Sequence, residues 1–259
     1  MIIISLIAIG IISGVVGGLI GVGGGIIIIP GLLFLFKALN ITGNEIAHQA
    51  LSTSLASIIL PTMRASYIHF KNKNINWKLI PSLAPGVIFG TIAGVLIATK
   101  LSADFLEVSF GLFLLIVAIK MLKSRRNIIE TTKFIIPKLL TWSFGVVTGL
   151  LSGLLGIGGG TLLIPFFNYN NYSIHKSIST SSFLIGIISI IGTITYTFLG
   201  FINSANYIYW PGVIWISLGS VISVSWGVEI GKIISEKTLR ITCSSVFIVI
   251  ACKLILKNF

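Results

Sequence analysis

The chain has 259 residues, 55% of them hydrophobic and only 9% charged, with a net charge of +12. A soluble domain carries about 25% charged residues, so this composition excludes a chain that must cover itself in water-facing charge. The basic residues sit in short gaps between apolar runs, as in Lys71-Asn72-Lys73 and Lys123-Ser124-Arg125-Arg126. That pattern reads as cytoplasmic loops of a membrane protein and not as a nucleic-acid surface.

Residues 2–36, 79–99, 139–175 and 177–228 contain no Asp, Glu, Lys or Arg. A helix needs about 20 apolar residues to cross a bilayer, so the sequence predicts an all-α, polytopic integral membrane protein whose surroundings are lipid. The first run, MIIISLIAIGIISG, has no basic n-region and no small-residue cleavage site, and reads as a first membrane segment. Breaks in the apolar pattern place helices near 2–20, 24–38, 46–70, 79–99 and 104–122, then near 135–155, 160–168, 177–200, 207–231 and 237–256. The segments at 24–38 and 160–168 are short, and each is expected to pair with its predecessor as a broken or re-entrant hairpin. Cys243 and Cys252 fall in the last segment and read as small hydrophobes.

The chain repeats itself. GGLIGVGGGIIIIP, from Gly17 to Pro30, is echoed by SGLLGIGGGTLLIP, from Ser152 to Pro165; HQALSTS at His48 is echoed by HKSISTS at His175; and PGVI occurs at Pro85 and again at Pro211. Three motifs in one order divide the chain into a first transmembrane repeat at 1–126, a cytoplasmic linker at 127–133 and a second repeat at 134–259. With an odd number of segments per repeat, one side of the membrane collects Lys71, Lys73, Lys78, Lys120, Lys123, Arg125, Arg126, Lys133, Lys138, Lys176, Lys232, Lys237 and Arg240. The other keeps Lys37, Lys100, Lys253 and Lys257. This bias makes the first side cytoplasmic, and it predicts inverted repeats with both termini outside.

Interrupted, Gly-rich segments at matching places in inverted repeats point to a transporter whose site lies between the repeats. Non-helical backbone is tolerated inside a bilayer only where it is buried in protein or lines a cavity. A helix that starts at such a break aims free N–H groups and its positive dipole end into that cavity. Gly21, Gly23, Gly24 and Gly25, with Gly156, Gly158, Gly159 and Gly160, are therefore expected to form a site for a small anion. The competing reading is that they merely let helices approach closely. A dinucleotide loop is excluded, because G-x-G-G-G lacks the final glycine of G-x-G-x-x-G and has no soluble βαβ context.

Ser52 and Thr53, with Ser179 and Thr180, are candidates to line the same cavity, the alternative being bonds between helices. Arg64 lies well inside a predicted helix, where it either attracts an anion or snorkels toward the 71–78 loop. His48 and His175, at equivalent helix starts, and Glu229, read as the only acid in a long apolar segment, are candidates for proton coupling. No His/Cys/Asp/Glu set has metal-ligand spacing, and no acidic pair or Ser–His–acid set supports catalysis; neither metal, cofactor nor enzymatic activity is expected. Nothing in the sequence sets an oligomeric state.

The doubled glycine motif, GGLIGVGGGIIIIPGLL and SGLLGIGGGTLLIPFF, together with NINWKLIPSLAPGVIFGTIAG from Asn74 to Gly94, resembles the TauE/SafE family of membrane transporters across nearly the whole chain. The resemblance implies export of sulfite and small organosulfur anions such as sulfoacetate. An anion channel using the same cavity is the alternative.

Overall fold

The computed structural model describes residues 2–39, 46–72, 74–123, 137–170, 172–233 and 236–256. Among these residues the fold is entirely helical: α1 (Ile2–Ile20), α2 (Gly25–Ala38), α3 (Ile46–Lys71), α4 (Ile80–Ala98), α5 (Ala103–Lys123), α6 (Lys138–Leu155), α7 (Gly160–Tyr169), α8 (Ile174–Asn203), α9 (Trp210–Ile233) and α10 (Glu236–Leu256). Five of them, α1, α4, α6, α8 and α9, contain stretches long and apolar enough to cross a membrane. The 14-residue α2 and the 10-residue α7 are the short members; at about 1.5 Å per residue, α7 reaches only half-way through a hydrocarbon core. The linker predicted at 127–133 lies outside the described residues.

Two helix pairs form the body of the molecule, and glycines set their spacing. Along α1, Gly10, Gly14 and Gly18 lie against the carbonyls of Ile216, Ser220 and Val224 on α9. Along α4, Gly86, Gly90 and Gly94 lie against those of Trp142, Val146 and Leu150 on α6. In both pairs the residue numbers climb together, so α1 runs parallel to α9 and α4 parallel to α6. Lipid offers no hydrophobic drive to bring helices together, and close backbone approach over small residues supplies van der Waals contact instead. These six glycines, which lie outside the two breaks, serve close packing. α3 and α8 cross the centre antiparallel, with Gly186 facing Thr62 and Gly192 facing Leu55. α5 and α10 pack together at the side. Outward faces carry exposed Ile4, Phe89, Phe198 and Val249, as contact with lipid requires.

One sequence match does not survive in the packing. Gly86 lies against Trp142 and Val146 as Gly219 lies against Ile7 and Ile11. Contacts of α4 therefore recur on α9 about two turns away from the register that aligns the two PGVI stretches. The tetrapeptide stands at different depths in the two helices, Pro85 inside α4 and Pro211 at the start of α9.

Candidate functional site

α2 turns back beside α1, with Gly24 next to Ser13 and Gly31 next to Ile9. Pro30 and Pro165 stand inside α2 and α7, where each removes a backbone donor. Both short helices start from a glycine in the left-handed region, Gly24 with φ 78° and Gly159 with φ 77°. An L side chain there costs about 1–2 kcal/mol. Neither N-cap supplies a side-chain bond, so the first N–H groups, which have no acceptor within their own helix, are left uncapped by side chains.

The two breaks touch. A methyl group on Gly160 would meet the Gly21 carbonyl and lie 2.7 Å from Val22 Cα; one on Gly25 would lie 3.2 Å from the Gly156 carbonyl oxygen and 3.3 Å from Ile157 Cα. Fully buried Ile185 sits between Gly23 and Gly158. The Ser54 hydroxyl donates to the Gly156 carbonyl at 3.0 Å, and the Ser181 hydroxyl to the Gly21 carbonyl at 3.4 Å. These bonds satisfy carbonyls that the breaks set free. All eight glycines singled out from the sequence are thus brought to one locus, and the positive ends of two helix dipoles lie close together there.

A narrow crevice, open at its mouth, adjoins the first break. Ser13, Gly23, Thr62, Ser182 and Ser220 line it, with Ala65 and Val224 further along. Their hydroxyls donate to carbonyls of their own helices: Ser13 to Gly10 at 2.9 Å, Thr62 to Ile58 at 2.6 Å, Ser182 to Ile178 at 2.9 Å and Ser220 to Ile216 at 2.8 Å. Rotating one toward a ligand exchanges a weak local bond for a new one, a change of about 1 kcal/mol. Pro61 leaves the Ser57 carbonyl without its usual helical donor, and Ser217 on α9 supplies one at 3.1 Å.

The hydroxyls expected to line the site are engaged elsewhere. Ser52 donates to the carbonyls of His48 at 2.8 Å and of Tyr207; Thr53 accepts from the Tyr209 N–H at 2.9 Å, and Thr180 accepts from the Asn76 N–H at 3.0 Å. They moor the chain leading into α9 and α4, which is the helix-bonding alternative. Ser179 is buried and does not line the crevice. Arg64 is exposed, with its Nε donating to Ser225 Oγ at 2.8 Å; the two residues are neighbours of Ala65 and Val224, which places the guanidinium near the crevice.

His48, in the first turn of α3, is buried, with Nε2 3.1 Å from the Ala98 carbonyl oxygen; because a carbonyl only accepts, Nε2 is the protonated nitrogen. The His175 backbone belongs to the first turn of α8, and its side chain lies outside the described residues. Glu229 is exposed near the end of α9. Among the described residues the buried acid is Glu107, in the second turn of α5, 3.6 Å from Lys37 Nζ in the last turn of α2. Ser13, Thr62, Ser182, Ser220 and Glu107 escaped the sequence reading.

An interior of packed membrane-length helices opened by paired backbone breaks is that of a multi-pass membrane transporter. The model of one family, Sulfite exporter TauE/SafE, matches residues 6–254, and the chain belongs to that family. It is 34% identical over 249 residues to a probable membrane transporter protein of Methanocaldococcus jannaschii, covering 93% of this chain and 91% of that relative. It is 28% identical over 255 residues to a probable membrane transporter protein of Haemophilus influenzae, and 27% identical over 274 residues to the probable membrane transporter YunE of Bacillus subtilis; both alignments cover 96% of each chain. No solved structure matches it significantly. It is a multi-pass protein of the cell membrane.

Proposed function

We propose that the protein is a carrier that exports small anions, with sulfite, sulfoacetate and related organosulfur or carboxylate anions as the substrate class. The observation that carries this reading is the meeting of two helix starts, α2 and α7, whose N-caps are side-chain-free glycines in contact across the centre. Such paired N-termini favour negative charge without a fixed counter-ion. The reading has no catalytic step. Buried Ile185 fills the space between Gly23 and Gly158, as a carrier without an open pore requires; an anion channel using the same cavity is the alternative, and flux kinetics separates the two.

In this reading 1–126 and 134–259 are inverted repeats joined by a cytoplasmic linker. Several recurrences support it: α1 runs beside α9 as α6 beside α4; Ser54 bonds Gly156 as Ser181 bonds Gly21; Thr53 accepts from Tyr209 as Thr180 accepts from Asn76. Alternating five helices per half reverses the second half relative to the first. The crevice then opens toward the cytoplasm, where the charge bias places the Lys71 end of α3. An inside-negative potential favours exit of an anion by about 2.3 kcal/mol per charge per 100 mV, so export needs no coupled ion.

Saturable, counterflow-stimulated anion flux in proteoliposomes is the expected behaviour of a carrier, and linear flux that does not saturate is that of a channel. Topology has its own test. Asn72→Cys and Asn127→Cys should react with impermeant thiol reagents from the cytoplasmic side, and Asn203→Cys from outside; labelling of positions 72 and 203 from one side contradicts the inversion.

A further inference from the structure

The crevice at the first break has a counterpart at the second, and there it is shut. In the register of the recurring contacts, Ser13, Gly17, Pro61, Thr62 and Val224 correspond to Thr148, Ser152, Ile188, Ser189 and Thr91. Three of these counterparts gather at the start of α7. A methyl on Gly159 would lie 2.6 Å from Ser152 Oγ, 2.8 Å from Ile188 Cδ1 and 3.0 Å from Thr148 Cγ2. Nearby, one on Gly192 would lie 2.8 Å from Leu55 Cδ1 and 3.5 Å from Thr91 Cγ2. Leu55, Thr91, Thr148, Ser152, Ile188 and Ser189 are all fully buried.

Within this closed space the Thr148 hydroxyl is buried without a hydrogen-bond partner, while the methyl of the same side chain packs toward Gly159 at the start of α7. A buried hydroxyl without a partner carries a desolvation penalty that any ligand bonding to it removes. The two halves differ in how the space is filled: Pro61 and Ser182 line the crevice at the first break, whereas their counterparts Ile188 and Leu55 are buried at the second. Inverted-repeat carriers change access by rocking or gating one repeat against the other.

We infer that Thr148, Ser152 and Ser189 form an outward-facing anion subsite, sealed in this state by the side chains of Ile188 and Leu55. The first-break crevice closes as this second one opens, and the anion passes between two sets of hydroxyls and two helix starts. Ile188 and Leu55 act through flexible side chains, so opening needs rotamer changes together with a small shift of α8. The inference rests on the carrier reading and adds the residues of the opposite-facing state.

The test uses the full-length protein with Cys243 and Cys252 replaced by Ser, in vesicles of both orientations, with an impermeant thiosulfonate reagent. Ser182→Cys should react from the cytoplasmic face and Ser189→Cys from the outer face. Sulfoacetate supplied outside should slow the outer reaction; sulfite is unsuitable because it consumes the reagent. Ile188→Trp should abolish flux and outer labelling of Ser189→Cys while leaving cytoplasmic labelling of Ser182→Cys intact. Labelling of Ser189→Cys only from the cytoplasm, or from neither side in a variant with normal flux, overturns the inference. If Ser189→Cys does not insert, Gly192→Cys reads the same space. Should the unmodified protein move none of the anions, the substrate reading fails, and the two-sided labelling pattern still decides whether the second subsite opens.

Discussion

Gly24→Leu and Gly159→Leu are expected to abolish anion flux while the protein still reaches the membrane. At Gly24 the added side chain meets two penalties. The backbone has φ 78°, which costs an L residue about 1–2 kcal/mol. Its Cβ would lie 2.7 Å from the Ser13 carbonyl oxygen, and relieving that overpacking costs about 1–3 kcal/mol more. Gly159 has φ 77° and meets Ser152 and Ile188 at 2.6 and 2.8 Å. The strain falls on the start of α2 or α7 and not on the α1–α9 and α4–α6 pairs, so insertion survives while the helix start is displaced. Alanine at either position brings the same Cβ and the same positive φ and should lower flux as well, leucine adding the bulk beyond Cβ. Normal flux from both leucine variants, at wild-type protein levels in the membrane, sinks the claim that the breaks form the site.

Gly90→Leu should fail earlier, at folding. A Cβ there would strike the Val146 carbonyl and lie 2.8 Å from Leu150 N, both rigid helical backbone. The only relief is separation of α4 from α6, which also strips the contacts at Gly86 and Gly94 that depend on the same spacing. Detergent extracts of this variant should give aggregated or degraded protein by size-exclusion chromatography, where Gly24→Leu gives a monodisperse peak. A monodisperse Gly90→Leu protein contradicts the packing argument.

The helices were legible because lipid enforces long apolar runs and because Gly, Pro and charge mark their ends. The predicted 2–20, 24–38, 46–70 and 79–99 differ from α1 to α4 by a residue at most at either end. α8 extends three residues beyond the predicted 177–200 at each end, since polar Asn203 can continue a helix that the hydropathy pattern had closed. The eight glycines of the two breaks were legible for a related reason: a backbone break in a membrane leaves a compositional mark that its side chains do not blur.

The hydroxyls were not legible. A serine in an apolar helix reads alike whether it bonds its own carbonyl, as Ser13 does to Gly10, or borders a crevice, and Ser13 does both. Ser52, Thr53 and Thr180 carried the stronger sequence signal through their repetition, yet that signal reports shared mooring bonds to the chain before α9 and α4. Glu107 was passed over because it stands near the end of its segment, where acids are ordinarily wet; only tertiary packing places Lys37 over it.

The most direct measurement is outward flux of sulfite and sulfoacetate from proteoliposomes in which a potassium diffusion potential and the pH gradient are set independently. Flux should saturate with substrate, accelerate as the interior is made more negative, and persist when the pH gradient is collapsed. The driving force available is about 2.3 kcal/mol per charge per 100 mV, enough that the response is unmistakable. Flux that ignores the potential and follows the proton gradient contradicts the account and moves attention from the glycine breaks to His48, His175, Glu229 and Glu107.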